Sequence, residues 1–225
     1  MDMKKYYEAY DDRYGQVHGQ NLRWFSDTPS PIVGTTMAAF GISTTSRILE
    51  LGCGEGRDAK YLLSQGFELL ATDISPRAIE FCRRDYPDGA ARFQVLDCVN
   101  GKLDERFDFI YAVAVVHMLV ENGDRDGFYR FIRDHLKDDG IALVCTMGGG
   151  TEEFQSDIST AFDLHERTHQ HSGRNLMLAG TSCRVVNFDT FRQEIHRNGL
   201  AIIRDGITSA EPDFPTMMYA VIKVK

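Results

Sequence analysis

The sequence predicts an α/β protein with a doubly wound, mostly parallel sheet that closes in an antiparallel pair of strands. Three observations carry this. Short apolar runs alternate with amphipathic stretches from Arg47 to Met147, and parallel neighbours need such crossovers to cover both sheet faces. A glycine-rich turn, "ELGCGEG" at Glu50–Gly56, joins the first apolar run to a helix. Near the carboxyl end, two apolar runs are separated only by "AEPDFP", too short for a parallel crossover.

The elements follow in order. "RILEL" reads as a short buried strand, and "GRDAKYLLSQG" as a helix closed by Gly66 just past its end. "FELLATD" is the second strand. In "SPRAIEFCRRDY", Ser75 is placed to cap the helix, and Pro76 takes the first helical position, where its missing N–H does no harm. "ARFQVLD" and "FDFIYAVAVV" are strands three and four. "DRDGFYRFIRDHLKDDG" is expected to be helical to Gly140, and "IALVCTM" is the fifth strand. "NFDTFRQEIHRNG" reads as a last helix before the pair "LAIIRDGITS" and "TMMYAVIKVK". Two regions escape the pattern. One carries Tyr6, Tyr7, Tyr10, Tyr14 and Trp24, then the loop "SDTPSP" and a short apolar helix. The other opens with "MGGG" after the fifth strand and is polar and rich in histidine. Both fall where loops above the sheet bind ligands in open α/β folds.

The 225 residues, 43% hydrophobic and 26% charged, suit one soluble domain with a large core. A net charge of −8 with scattered Lys and Arg disfavours a nucleic-acid partner, which needs a clustered positive surface. Five cysteines without a C-x-x-C spacing argue against a disulfide framework and a zinc ribbon, and suit a reducing cytosol. The start, "MDMKKYYEAYDDRYG", has no apolar leader, and no run is long enough to span a membrane, so a cytoplasmic location is expected.

A strand, a glycine turn and a helix N-terminus make a corner where a ligand can lie against bare backbone. The same glycines also serve an ordinary tight turn. Asp73 ends the second strand seventeen positions after Gly56, where a carboxylate can accept both ribose hydroxyls of NAD or another adenosine cofactor. The turn reads G-x-G-x-G, not the dinucleotide G-x-G-x-x-G, and Glu50 would repel a pyrophosphate while welcoming a cationic ammonium. Asp97, ending the third strand, could accept from an adenine amino group. Taken singly, Asp97 could cap a strand and Asp73 the next helix.

Together these residues resemble the class I S-adenosylmethionine-dependent methyltransferases. "ELGCGEG" resembles the family's E/D-x-G-x-G-x-G motif, "ATDIS" its acidic ribose position, "LDC" its adenine position, "FDFIYAVAVVHML" its fourth-strand motif and "HLKDDGIALV" its "LKPGG" approach to strand five. "DD" at Asp138–Asp139 departs from that pattern in a surface turn. "GEGRDAKYLLSQGFELLATDIS" looks similar to small-molecule members of the tellurite-resistance and thiopurine type. The resemblance implies a Rossmann-like, seven-stranded sheet with an antiparallel last strand, and S-adenosyl-L-methionine as cofactor, released as S-adenosyl-L-homocysteine. It places Glu50, Gly52, Cys53 and Gly54 at the methionine end, Asp73 and Ile74 at the ribose, Asp97 and the Cys98 backbone at the adenine, and the Ala112 carbonyl against the cofactor. One domain over 1–225 is expected: an N-terminal helical lid (1–45), a cofactor-binding core (46–146), a substrate or lid insertion (147–184) and a C-terminal helix with the strand pair (185–225).

The N/D-P-P-Y/F signature of amide and exocyclic-amine methylators is missing after the fourth strand, so a small-molecule acceptor is expected, with the protein a monomer or homodimer. His117 is the candidate catalytic base, against a packing histidine. Tyr10, Tyr14 and Trp24 are candidates to close over the sulfonium, or simply an amphipathic face packing on the domain. His165 and His169 lie four apart on a possible helix; without a flanking H-E-x-x-H glutamate they are expected to be lid or substrate-loop residues, and no metal is expected. The competing functions are a non-catalytic cofactor-binding regulator and an NAD-dependent oxidoreductase.

Overall fold

The computed structural model describes residues 4–225. A 3₁₀ turn at Tyr6–Glu8 leads into α1 (Ala9–His18), and α2 (Pro31–Ala39) precedes the sheet. The alternating part comprises β1 (Arg47–Leu51), α3 (Arg57–Ser64), β2 (Glu68–Asp73), α4 (Pro76–Asp85), β3 (Phe93–Val95), β4 (Phe107–Val113), α5 (Asn122–His135) and β5 (Leu136–Met147). Four short strands follow: β6 (Phe154–Gln155), β7 (Leu164–Thr168), β8 (Asn175–Ala179) and β9 (Arg184–Val185). The chain ends with α6 (Phe188–Arg197), β10 (Leu200–Ala210) and β11 (Phe214–Val224).

The main sheet has seven strands in the order β10-β11-β5-β4-β1-β2-β3, with β11 antiparallel to both neighbours. The expected doubly wound sheet with its reversed last strand is therefore present. From β1 the chain moves outward through β2 and β3, then crosses back to β4 and β5. The strand order thus reverses between β1 and β4, and the crevice above their carboxyl ends is where such sheets hold ligands. Strand parity sends Leu49 and Leu51 into one core layer with Phe128, Phe131 and Phe191, and Ile48 into the other with Leu62, Ile79 and Phe109. No described helix is long and apolar enough to cross a membrane.

Local signals act as expected at several ends. The Ser75 hydroxyl accepts from the Ala78 N–H at 3.0 Å to cap α4, Asn187 likewise caps α6, and Gly66 follows α3 at φ +83°. Two expectations fail. The helix expected to reach Gly140 ends at His135, because Leu136 is buried and pairs with Phe107 of β4, so 136–140 enters β5. The segment carrying His165 and His169 is no helix: β7 pairs antiparallel with β8, whose Leu176 and Leu178 pack on Val17 of α1.

Candidate functional site

The site begins where β1 runs into the glycine turn. Gly52 and Gly54 hold φ of +71° and +53°, a region costly for any residue with a Cβ. The protein itself uses the bare backbone. A Cβ on Gly52 would collide with the Val115 side chain, and one on Gly54 would stand 2.7 Å from the Tyr14 hydroxyl. Above this turn lies a cavity whose empty space, open mouth included, is about 920 Å³. Glu50, Gly52, Cys53, Gly54, Asp73, Ile74, Asp97 and Cys98 all line it. Ala112 does not: it is fully buried in β4, and Val113, Ala114 and Val115 form the wall in its place.

The cavity is acidic at its base. Glu50 is buried, and its Oε2 has no hydrogen-bond partner among the described residues. Burial, reinforced by the nearby Asp58 carboxylate, pushes the Glu50 carboxyl well above the usual range. Asp58 is itself buried and accepts from the Ser30 N–H (2.5 Å) and hydroxyl (2.8 Å). Burial raises Asp73 to about 6, although it accepts N–H bonds from Ser75 (2.8 Å) and Gly54 (2.9 Å). Asp73 therefore also stitches the glycine turn to the entry of α4. Asp97 accepts from the Val99 N–H at 2.8 Å and the Asn100 amide at 2.9 Å, in a turn just past β3. A buried carboxylate with one unpartnered oxygen beside two further acids is a poor cradle for a pyrophosphate and a good one for a cation.

A second chamber, whose empty space with its open mouth included is about 1420 Å³, shares Tyr10, Phe25, Met118 and Phe214 with the first. His117 lines it from a 3₁₀ turn at Val116–Met118, buried, with Nδ1 lacking a partner among the described residues. Burial, aided by the neighbouring Arg125 cation, lowers His117 to about 3, so the imidazole is neutral at physiological pH. Arg125 holds this turn in place. It forms a buried two-pronged bond to Glu194 of α6 (2.7 Å at each prong) and donates to the Val116 and Leu119 carbonyls.

The N-terminal aromatics are brought to the site. Tyr14 lines the first cavity, Tyr10 both, and Trp24 the second. Helix α1 is pinned to α4, since Asp11 accepts from the Ser75 hydroxyl at 2.6 Å and from Arg77 at 2.7 Å. The histidine pair is not brought in. His165 is exposed against Gly180, and His169 is buried as a staple, its ring bonded to the Arg23 carbonyl and the Ser172 hydroxyl. Their neighbours Arg167, Thr168 and Gln170 line the chamber instead. Sequence reasoning missed Asp58, Arg13 and Asp213. "GRD" directly after the glycine turn was the available signal for Asp58; Arg13 and Asp213 carry none.

Residues 48–140 match the family described as "Methyltransferase domain". The malonyl-[acyl-carrier protein] O-methyltransferase of Acetivibrio thermocellus is 25% identical over 146 residues, which are 61% of this chain and 50% of the relative. The chain spans about half the length of the curated relatives it matches. Among solved structures, the glycopeptide N-methyltransferase MtfA complexed with S-adenosyl-L-methionine superposes with TM-score 0.65 at 19% identity, covering 90% of this chain and 96% of MtfA. A TehB-like methyltransferase from Corynebacterium glutamicum superposes with TM-score 0.58 at 20% identity, covering 97% and 98%. The sheet order, the glycine turn with its acidic neighbours and the matched stretch agree: residues 48–140 are similar to a methyltransferase domain, and the chain has the fold of the solved S-adenosylmethionine-dependent methyltransferases.

Proposed function

We propose that this chain transfers the methyl group of S-adenosyl-L-methionine to a small-molecule acceptor and releases S-adenosyl-L-homocysteine. The observation that carries the reading is the buried Glu50 carboxylate with an unpartnered oxygen at the base of a cavity that shares four wall residues with a second chamber. When bound, S-adenosyl-L-methionine supplies a sulfonium methyl already activated for in-line attack. The chain's own residues then have to bind, orient and exclude water. Glu50 holds the cationic methionine end beside Gly52, Cys53 and Gly54. Asp73 takes the ribose, with Ile74 next to it, and Asp97 and the Cys98 backbone take the adenine. Tyr10 and Tyr14 on α1 cover the cavity, and Trp24 walls the acceptor side. His117 offers a neutral, unpartnered nitrogen that orients the acceptor by a hydrogen bond; a group lowered to about 3 is a poor proton acceptor.

The adjoining chamber supports turnover over a merely cofactor-binding protein, and the G-x-G-x-G spacing with buried Glu50 speaks against NAD. In this reading the core at 46–146 holds the cofactor, and 1–45 with 147–184 build the acceptor side. The five free thiols support a reducing, cytoplasmic setting. The acidic net charge supports a small molecule over nucleic acid, with the protein a monomer or homodimer. Calorimetric titration with S-adenosyl-L-methionine, S-adenosyl-L-homocysteine and NAD tests the reading. Binding of the first two at micromolar levels and none of NAD is expected, and the reverse pattern would overturn it.

A further inference from the structure

We propose that the acceptor carries an oxyanion, a carboxylate or a phosphate, and that Arg13 and Arg167 hold it in the second chamber. The proposal rests on the methyltransferase reading and names the chemistry of its acceptor. Arg13 projects from α1 and is only 7% exposed. Its Nη2 donates to the Ala179 and Gly180 carbonyls at 2.8 Å each, and Nε to Ala179 at 3.2 Å. The guanidinium lies over the rings of Trp24 (4.9 Å) and Tyr10 (5.4 Å). Arg167 of β7 reaches the same Gly180 carbonyl with Nη2 at 3.4 Å. Two guanidinium groups thus converge on one neutral oxygen, and neither makes an ion pair among the described residues.

Such a pair is unfavourable by itself. Burial lowers Arg13 to about 10, and the charge of Arg167 adds to that effect. The one carboxylate lining the chamber does not relieve it. Asp213 is taken by Arg57 at 3.0 Å and the Ser26 hydroxyl at 2.7 Å, with His171 at 3.3 Å. The chamber therefore keeps two uncompensated positive charges in an otherwise acidic protein. Planar guanidinium groups bind carboxylate and phosphate oxygens with paired, charge-assisted hydrogen bonds. Arg13 is held rigid by three bonds and two rings, whereas Arg167 is exposed and has one long bond, so it is free to turn onto a ligand. The backbone beside them is also held under strain. Thr181 keeps φ at +61° where the chain carries the Gly180 carbonyl between the two arginines. Around them Trp24, Phe25, Phe154, Phe214 and Met147 offer flat apolar surface. An anionic group on a flat apolar body matches both features.

The test uses the full chain saturated with S-adenosyl-L-homocysteine, titrated calorimetrically with benzoate, phenyl phosphate and neutral benzamide. At least one anion is expected to bind about tenfold or more tightly than benzamide, the gain of a charge-assisted hydrogen bond. The better of the two anions identifies the oxyanion. Arg167→Gln is expected to abolish the preference without changing affinity for S-adenosyl-L-homocysteine. Arg167 makes no bond in the cofactor cavity and one weak bond elsewhere, so this variant folds where Arg13→Met fails to. Equal binding of anions and benzamide, no binding of either anion, or a preference that survives Arg167→Gln would overturn the proposal. Failure of S-adenosyl-L-homocysteine to bind would overturn the methyltransferase reading instead, and the same titrations without it would still judge the arginine pair.

Discussion

The two cavities meet at Tyr10, Phe25, Met118 and Phe214 yet are opposite in charge and in origin. The first is walled mainly by the carboxyl ends of neighbouring strands and gathers Glu50, Asp58, Asp73 and Asp97. The second is assembled from α1, the β7–β8 hairpin, the 3₁₀ turn at His117 and the start of β11, and gathers Arg13 and Arg167. In a low-dielectric crevice this separation of charge does work. On the proposed reading, each side would suit a ligand group of its own complement, with four apolar or aromatic residues between them.

The largest effect is expected from breaking the first cavity at its backbone. Gly52→Ala places a methyl against Val115 at a φ of +71°. Left-handed strain of about 1–2 kcal/mol and overpacking of about 1–3 kcal/mol should lower the melting temperature. Cofactor affinity should fall at least about a hundredfold by calorimetry, because the turn must shift. Adding Val115→Ala should recover the overpacking part of the stability loss but leave the left-handed strain and most of the binding defect, which separates packing from recognition.

Glu50→Gln sharpens the contrast with a smaller change of opposite sign in its two readouts. The folded-state pKa of Glu50 lies above its unfolded value, so the ionised carboxylate costs stability at neutral pH, and that cost fades as the pH falls. The amide should therefore raise the melting temperature of the ligand-free protein. It should also weaken S-adenosyl-L-methionine by about 1.5–3 kcal/mol, the range for hydrogen bonds to charged groups. A variant that gains stability while losing the ligand is what a site built for a cation requires.

The two regions also differ in how far the sequence discloses them. Much of the first cavity was legible because strand ends, a glycine turn and acids lie within one stretch whose motifs resemble a known family, although Tyr7, Tyr10, Tyr14, Phe25 and Phe214 join its wall from outside that stretch. Ala112 itself stays buried in β4, and the wall is formed by the three residues that follow it, Val113, Ala114 and Val115. The second cavity was not legible. Its walls come from positions as distant as Arg13 and Phe214, and no local pattern tells that Arg13 donates to a carbonyl 166 residues away. Histidines four apart suggested a helix, but i, i+4 spacing also falls on one side of a strand. The hairpin forms because Leu176 and Leu178 find Val17, a contact only the folded chain reveals.

His117 stands in the second chamber and gives the smallest effect, one read best through pH. Its pKa of about 3 lies below the unfolded value near 6.5, so the folded protein keeps it neutral while the unfolded chain takes up a proton in acid. The unfolded state then binds more protons between these values, and stability falls as the pH drops through 6 toward 3. At pH 5 this amounts to about 2 kcal/mol relative to pH 8. His117→Asn should flatten that limb in denaturant titrations at matched pH, whatever it does to stability at pH 8. For turnover the same pKa predicts no inflection from this residue between pH 5 and 8, and His117→Asn should slow methyl transfer only severalfold, since an amide can still orient the acceptor. A rate that instead follows a group titrating near neutrality, and loses that dependence in His117→Asn, would make the imidazole a true base and would require the loaded chamber to raise its pKa by several units.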